Sequence, residues 1–518
     1  MHTYENPIIP GFFPDPSICR VGEDYYLVNS SFEFFPGVPL WHSKDLANWE
    51  QIGYVLTRES QLPLGNAWTS GGIYAPTIRY HDGRFYMITT NCGGGGNFYV
   101  WTDDIYGEWS DPVWIDQEGI DPSLFWDDDG KVYYVGSGMH QFQIDLATGK
   151  KLSETRQIWT GTGGRCPEGP HMYKRNGWYY LMIAEGGTEY GHMQTIARSR
   201  SVWGPFESCP RNPILSHRDD IGSPFQAVGH ADIVEDPNGN WWMVFHAIRP
   251  TVHQLHHIGR ETMLAPMVWD EDGWPVVNGG KSVTAIMTAE GVGNFAGRKN
   301  WQDDFAGPAY HPRWSWERNP NMANYQLGNG LTLTGSNNAL SDSLTLTGRF
   351  HTLSEGTSPT MLITRQDQFD VRYQTCIRIS GSGLAGLTVF HTNEHHYDLC
   401  VQPSQAGMAV WLRRQVADMF TEGRPVIFGD AEQLLLRVEA DKMKYTFFAG
   451  TSEENMVKIG TGSSQLLSTE VMRCTFTGCF AGVFAEGKTE ATFDYISCEY
   501  LKKRQPGADY SPFPVLFF

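Results

Sequence analysis

The chain has 518 residues, too long for one ordinary hydrophobic core, so two or more domains are predicted. Its 58 Asp and Glu against 39 Lys and Arg give a net charge of −19, which argues against nucleic acid and anionic membranes as partners. No apolar run approaches the roughly 18 residues of a membrane helix, and no signal-peptide pattern occurs at the start. We therefore expect a cytoplasmic protein whose nine scattered cysteines are reduced.

A repeated unit runs through the first half of the chain. Five times, a turn with glycine separates a short apolar strand from a second strand rich in aromatics, as in PTIRYHDGRFYMI and PSLFWDDDGKVYYV. Five hairpin units of this size predict a five-bladed β-propeller over residues 1–296. A β-sandwich is the alternative, but it would not produce so regular a repeat.

The pattern changes after the repeats. The polar segment 297–302 reads as a linker, and from residue 303 onward short alternating strands recur between turns, as in LTLTG (331–335) and SLTLTG (343–348). These strands predict an antiparallel, jelly-roll-like β-sandwich domain over 303–518. Aromatic residues make up 13% of the chain and no long helical pattern occurs, so we expect an all-β protein.

Carboxylates stand at equivalent positions of the repeat. The first strand of each propeller blade lines the central channel, so residues at its start converge on one face. The five residues at this position are Asp15, Ala75, Asp121, Glu168 and His230. A single Asp-Pro pair is usually only a turn, but three acids in one channel mouth repel one another, which costs energy unless function requires them. Paired carboxylates suit glycoside hydrolysis, in which one protonates the leaving oxygen and the other activates water or attacks the sugar.

Several stretches carry a family resemblance: NPIIPGFFPDPS, GIDPSLFW, EGPHMYKRNGWYY, GHADIVEDPNGNWW and GRET, with DDF opening the second domain. They resemble glycoside hydrolase family 43, in particular its two-domain β-xylosidase and α-L-arabinofuranosidase group. The resemblance implies an inverting enzyme in which Asp15 is the general base, Glu168 is the general acid, and Asp121 tunes the pKa of Glu168 and orients it. Inversion would separate base and acid by roughly 6.5–9.5 Å.

Other residues match the family's substrate-binding positions. Arg260 resembles the arginine that binds the sugar, and Phe32 resembles an aromatic wall of the first subsite. Tyr74 stands where related xylosidases carry Trp, and Phe476 resembles a residue that the second domain inserts over the active-site pocket, helping to close it. His230 resembles a channel histidine that contacts a hydrated Ca²⁺ ion in some relatives, whereas others need no divalent ion; a lone His more often makes an ordinary hydrogen bond.

We therefore expect an exo-acting, inverting glycosidase that releases terminal β-1,4-linked D-xylose from xylo-oligosaccharides. Activity mainly as an α-L-arabinofuranosidase on arabinoxylan side chains, or both activities together, is the nearest alternative. A non-catalytic carbohydrate-binding propeller is the alternative from another class. The chemistry itself needs no cofactor, Ca²⁺ in the channel is an open alternative, and the resemblance favours a homo-oligomer.

Overall fold

The computed structural model describes residues 1–328, 342–473 and 475–502, and these residues form an all-β molecule. The first half folds into five antiparallel sheets of four or five strands, which are the five predicted blades. Gly83 and Gly130 lie in the hairpin turns with φ of +83° and +78°, a conformation that glycine adopts without strain. The repeat in the sequence is thus a repeat of hairpins, and the predicted fold class is confirmed.

In most blades each strand pairs with the next along the chain. In the second blade Gly72–Ile73 and Thr77–His81 both pair with Arg84–Cys92, and in the third Lys150–Lys151 and Arg156–Gln157 both pair with His140–Asp145. In blade order the strands are Ser17–Val21, Asp24–Val28, Gly37–Ser43 and Glu50–Leu56; Gly72–Ile73, Thr77–His81, Arg84–Cys92, Gly96–Thr102 and Val113–Trp114; Ser123–Trp126, Val132–Gly136, His140–Asp145, Lys150–Lys151 and Arg156–Gln157; Glu168–Arg175, Trp178–Glu185, Met193–Ser199 and Glu207–Ser208; Gln226–Glu235, Trp241–Ile248, Arg260–Trp269 and Pro275–Val277. After the last blade, Ile286–Ala289 pairs with His2–Glu5 near the N-terminus.

A buried polar network joins the innermost strands. Asp232 is fully buried in the fifth blade, and its carboxylate accepts hydrogen bonds from Ser17 Oγ of the first blade at 2.7 Å and from Arg79 Nη1 of the second at 2.7 Å. The hydroxyl of Tyr173, in the fourth blade, donates to the same carboxylate at 2.5 Å. A buried charge with all of these partners holds four blades together around the channel.

Two large sheets form the second half. The first contains Tyr325–Leu327, Leu344–Thr347, Thr489–Tyr500, Val371–Gly381, Leu434–Ala440, Lys444–Gly450 and Val457–Ser463, with Trp301–Asp303 paired to Thr489–Tyr500. The second contains Met419–Glu422, Gly407–Val416, His395–Ser404, Leu384–Thr392, Phe480–Glu486, Thr360–Arg365, Trp314–Glu317 and Phe34–Phe35, with Val426–Phe428 paired to Gly407–Val416.

Alternation of side chains explains how these sheets pack. Leu434, Leu436 and Val438 are fully buried, while the residues between them are partly exposed, as period-two strands require. The strand predicted within 343–348 is observed as Leu344–Thr347. The strand predicted at 331–335 lies outside the described residues.

Two strands tie the halves together. Phe34–Phe35 of the first half pairs with Trp314–Glu317 and so extends a sandwich sheet. Trp301–Asp303 already belongs to the sandwich, so its first strand begins inside the segment 297–302 that was predicted to be a linker. The reason is packing: the ring of Trp301 lies edge-on to that of Trp314, with ring centroids 6.0 Å apart.

Helical structure in the described ranges is limited to short 3-10 turns: Ser137–Met139, Val252–Gln254, Asn278–Gly280, Met322–Asn324, Glu453–Asn455, Ser464–Leu467 and Thr469–Val471. None of the helices in those ranges has the length and apolar character needed to cross a membrane.

Candidate active site

The three predicted acids lie together at one end of the propeller channel. Asp15 and Asp121 directly precede innermost strands and are only 4% and 5% exposed, and Glu168 opens the innermost strand of the fourth blade. Each lies close enough to the others for its charge to act on them: Asp121 is influenced by Glu168 and Asp15, and Glu168 by Asp15. The repeat alignment therefore selected residues that the fold brings into one cluster.

The backbone at these positions is unusual. Asp15, Asp121 and His230 have φ of +53°, +54° and +51°, in the left-handed region that few non-glycine residues occupy. The same strained conformation at three equivalent places of the repeat directs three side chains to one end of the channel. Such strain persists where the surrounding structure enforces it and is common at functional sites.

Asp15 is surrounded by donors and positive charge. Arg260 Nη1 donates to Oδ1 at 2.7 Å, the hydroxyl of Ser30 donates to Oδ2 at 2.5 Å, and Nδ1 of His246 lies 2.9 Å from Oδ1. Burial alone would raise the pKa of Asp15, but Arg260 and the neighbouring histidines bring it well below its usual value. Asp15 is therefore a carboxylate at neutral pH and can accept a proton.

The surroundings of Glu168 shift its pKa in the opposite direction. Burial and the charge of Asp15 raise the pKa of Glu168 to about 7, although Arg260 and Arg165 limit the increase. Burial, Glu168 and Asp15 likewise raise the pKa of Asp121 well above its usual value, while the backbone N–H of Gly169 donates to Asp121 and opposes that shift. Since repulsion between two carboxylates is mutual, Asp121 and Glu168 bind their protons interdependently.

An aromatic wall stands beside the acids. The ring centroid of Phe32 lies 5.2 Å from that of Tyr74 and 6.2 Å from that of Phe476, which stacks on it. The guanidinium carbon of Arg260 lies 5.6 Å from the centroid of Phe32, and Arg260 Nη2 donates to the backbone oxygen of Phe476 at 3.4 Å. The backbone N–H of Phe476 donates to Ser70 Oγ at 2.9 Å, so the sandwich contributes directly to the site.

A cavity of about 490 Å³ lies at the junction of the two domains, and Tyr74 and Phe476 of this wall line it while none of the three acids does. It is lined by Trp68 and Tyr74 of the propeller and by Glu394, Arg473 and Phe476 of the sandwich, among others. Trp68 is 55% exposed, which leaves an indole face accessible beside charged groups. Aromatic faces next to polar side chains suit carbohydrate rings.

His230 lies beside the acids but does not form a coordination shell for a metal. Its Nδ1 is 3.8 Å from Asp15 Oδ1, and its ring packs so closely on Gly169 that an added Cβ there would come within 2.9 Å of it. Within the described ranges, no three His, Cys, Asp or Glu side chains are grouped to hold a metal ion. Ca²⁺ takes six to eight oxygen ligands, so His230 fits only an ion that keeps most of its water.

Glu185 fixes the loop that precedes the acid. It is fully buried at the end of strand Trp178–Glu185, where the adjacent Ala184 pairs with Glu168. Its carboxylate accepts hydrogen bonds from the backbone and hydroxyl of Thr162 at 3.0 and 2.9 Å, from Gly164 N at 2.9 Å, and from Thr195 Oγ1 at 2.6 Å. These bonds hold the start of the 162–167 segment that leads into Glu168.

Sequence reasoning missed His246 and Ser30, which both contact Asp15. His246 interrupts the apolar strand WWMVFHAI, where a buried histidine needs a polar partner, and this was a usable signal. Burial lowers the pKa of His246 to about 3, so it faces Asp15 as a neutral imidazole. Ser30 lies within NSSFEFF, in which nothing distinguishes one serine from its neighbour.

Comparison with family models matches both halves of the chain. The model of "Glycosyl hydrolases family 43" matches residues 4–275. The model described as "Beta xylosidase C-terminal Concanavalin A-like domain" matches residues 302–499.

Individual relatives align over nearly the whole chain. The non-reducing end α-L-arabinofuranosidase BoGH43B of Bacteroides ovatus is 38% identical over 504 residues, which is 94% of this chain and 92% of the relative. A β-xylosidase of Bacillus subtilis is 33% identical, covering 92% of this chain and 95% of the relative. The crystal structure of a GH43 protein from Bacillus licheniformis superposes with a TM-score of 0.89 at 33% identity, over 96% of this chain and 100% of that one.

Proposed function

The chain belongs to glycosyl hydrolase family 43, and we propose from this premise that it is an inverting, exo-acting glycosidase that releases terminal β-1,4-linked D-xylose from xylo-oligosaccharides. The observation that carries the mechanism is the contrast between two nearby carboxyl groups. The pKa of Asp15 lies below its usual value, and that of Glu168 is raised to about 7. Such a pair provides a base and an acid at the same pH.

In the proposed reaction, one water molecule cleaves the glycosidic bond, and two protons are transferred in the step. Asp15 accepts a proton from water as its oxygen bonds to the anomeric carbon of the terminal sugar. The bond from that carbon to the leaving oxygen breaks, and Glu168 donates its proton to the leaving oxygen. The configuration at the anomeric carbon inverts because water attacks opposite the departing group. Asp121 and Glu168 bind protons interdependently, and this step requires the proton to lie on Glu168 and the negative charge on Asp121.

The remaining residues suit a single terminal sugar. Arg260 lies between Asp15 and the aromatic wall, where its guanidinium can donate to a sugar hydroxyl as well as hold Asp15 in place. Phe32 and Tyr74 offer apolar ring faces to a pentose. Because Phe476 of the sandwich covers one side, we expect a pocket with one entrance, which favours attack at the end of a chain.

α-L-Arabinofuranosidase activity is a second candidate, and the name of the 38% identical Bacteroides relative favours it. A terminal arabinofuranose and a xylopyranose can present similar hydroxyls to one pocket, so one protein can carry both activities. The rate ratio between the two substrates ranks them.

The first experiment measures 4-nitrophenol released from the β-D-xylopyranoside and from the α-L-arabinofuranoside, beside Asp15→Ala. Turnover that disappears in this variant supports the proposal, and equal turnover in the variant contradicts the role of Asp15. Folded protein that hydrolyses neither substrate but binds xylo-oligosaccharides would favour a binding propeller instead. Addition of a chelator tests whether a Ca²⁺ ion near His230 contributes to turnover, and light scattering tests whether the chain forms the homo-oligomer that the family resemblance favours.

A further inference from the structure

A second cavity, of about 480 Å³, lies between the propeller, the segment 295–299 and the sandwich. Its size falls within the roughly 300–1,000 Å³ of small-molecule sites. Seven aromatic residues line it: Phe13, Trp41, Trp49, Phe295, Trp301, Tyr373 and Tyr500. None of the three acids of the candidate active site is among its lining residues, so it is a separate site.

Positive charge is concentrated around this cavity, although the protein as a whole is acidic. Arg298, Lys299, Arg313 and Arg365 line it, against one carboxyl group, Asp367. Within the described ranges, neither Arg313 nor Arg365 has a carboxylate within ion-pair distance, whereas Arg298 lies 4.0 Å from Glu5. Arg365 is buried and Arg313 is partly buried, and a cation in such a place is costly when no counter-charge pairs with it directly. An anion in this cavity would therefore stabilise the two arginines.

The two arginines are held by neutral groups. Arg365 is 5% exposed and donates from Nε to the backbone oxygen of Phe12 at 2.8 Å and from Nη1 to Ser315 Oγ at 3.0 Å. Arg313 lies over the ring of Trp301, 4.1 Å from its centroid. A guanidinium on an indole face next to an open cavity is positioned for a ligand that is both flat and negatively charged.

Several donors on the lining residues have no partner. Arg365 Nη2, Arg313 Nε, Trp41 Nε1 and Gln51 Nε2 are buried without a hydrogen-bond acceptor. One acceptor, Asp367 Oδ1, is also without a partner, while Asp367 Oδ2 accepts from the hydroxyl of Tyr500 at 2.6 Å. Because these unpartnered atoms are four donors and one acceptor, a ligand with accepting atoms would satisfy more of them than a ligand with donors.

We propose that this cavity binds a small aromatic carboxylate, with its ring among the indole side chains and its carboxylate against Arg313 and Arg365. An inorganic anion would satisfy the charge but leave the aromatic faces against water. A neutral aromatic ring would leave the guanidinium groups without a counter-charge. A flat acid meets both requirements, and the proposal does not depend on the glycosidase activity.

The test measures binding of 4-hydroxycinnamate to the full chain by equilibrium dialysis, in the presence of saturating xylose. We expect saturable binding with one site per chain, and at least about tenfold weaker binding of 4-hydroxycinnamyl alcohol, which has the same ring without the charge. Inorganic phosphate binding as tightly as the acid would overturn the proposal, as would no saturable binding by the full chain.

Variants locate the site. Arg313→Gln should weaken binding of the acid about tenfold, the equivalent of one charged hydrogen bond, and leave binding of the alcohol unchanged. Arg218→Gln, at an exposed arginine outside the cavity, is the matched control and should bind like the unaltered chain. An unchanged melting temperature checks that each variant is folded. If Arg313→Gln binds normally, the site lies elsewhere and the proposal fails.

A further experiment distinguishes a free carboxylate ligand from a carboxylate of the chain's own segment 503–518. Tyr500 lines the cavity, and residues 503–518 follow it in the chain. A chain ending at Lys502 should bind 4-hydroxycinnamate as the full chain does. Binding by the shortened chain alone would assign the cavity to the chain's own segment and overturn the proposal of a free ligand.

Discussion

Asp15 and Glu168 are both carboxylic acids at the start of innermost propeller strands. The charges that surround them are nevertheless different. On the Asp15 side, Arg260, Ser30 and His246 are within hydrogen-bond distance of the carboxylate. At Glu168, burial and the negative charge of Asp15 raise the pKa, and Arg260 and Arg165 do not cancel them.

The difference shows that residue type does not determine the role of each acid. Arg260, with His230 and His246, lowers the pKa of Asp15 and makes it a base, and burial beside an anion makes Glu168 an acid. Since the base must be ionised and the acid protonated, activity should fall as pH rises through about 7, the pKa of Glu168. On the acid side it should persist below the usual pKa of an aspartate, because Asp15 keeps its charge there.

The largest effect is expected from removing the general acid, Glu168. Glu168→Ala should lower kcat/KM for xylobiose by about 10²–10⁴-fold, the usual contribution of general acid catalysis. It should lower kcat/KM for the 4-nitrophenyl glycoside much less, because nitrophenolate leaves without a proton. Steady-state kinetics on both substrates provide the check, with Glu454→Ala on the exposed sandwich surface as control. Equal losses on both substrates would contradict the assignment.

The next largest effect is expected from removing the positive charge of Arg260 beside Asp15. Arg260→Gln deletes the donor 2.7 Å from Asp15, so the pKa of Asp15 should rise. The acid limb of the kcat/KM profile should then move to higher pH by about 1–3 units. Arg218→Gln serves as the control and should keep the original limb. An acid limb that stays in place while only KM rises would restrict Arg260 to sugar binding.

A smaller effect concerns the third acid. If Asp121 works as an anion, Asp121→Asn should lower the pKa of Glu168 and move the alkaline limb below its position near pH 7. The shift should be about one pH unit or less, since burial and Asp15 remain as causes. A pH profile of kcat/KM measures it. An unchanged alkaline limb would mean that Asp121 is protonated in the working enzyme.

The smallest effect concerns the loop before Glu168. Glu185→Gln keeps the shape of the side chain but replaces one acceptor by a donor that faces Thr162 or Gly164. We expect kcat/KM to fall about fivefold, the equivalent of one hydrogen bond, with a shift of the alkaline limb. Glu454→Gln is the matched control. A change in melting temperature without any change in the pH profile would show that the loop does not position Glu168.

Part of this architecture could be read directly from the sequence. The hairpin repeat predicted five blades because turn glycines and paired aromatics are local signals, and it aligned Asp15 with Asp121 and Glu168. The start of the sandwich was placed too late, because Trp301 joins a sheet through its contact with a distant residue, Trp314. No local pattern reveals such a contact.

The repeat was enough to predict which acids converge, because equivalent positions in a repeat must occupy equivalent places in a closed ring of blades. The role of each acid, in contrast, depends on neighbours that are distant in the chain. Arg260 lies 245 residues from Asp15 in the chain and yet donates to it at 2.7 Å. Phe476 reaches the same site from the other domain. A pKa depends on burial and on charges nearby in space, and those neighbours exist only after the chain has folded.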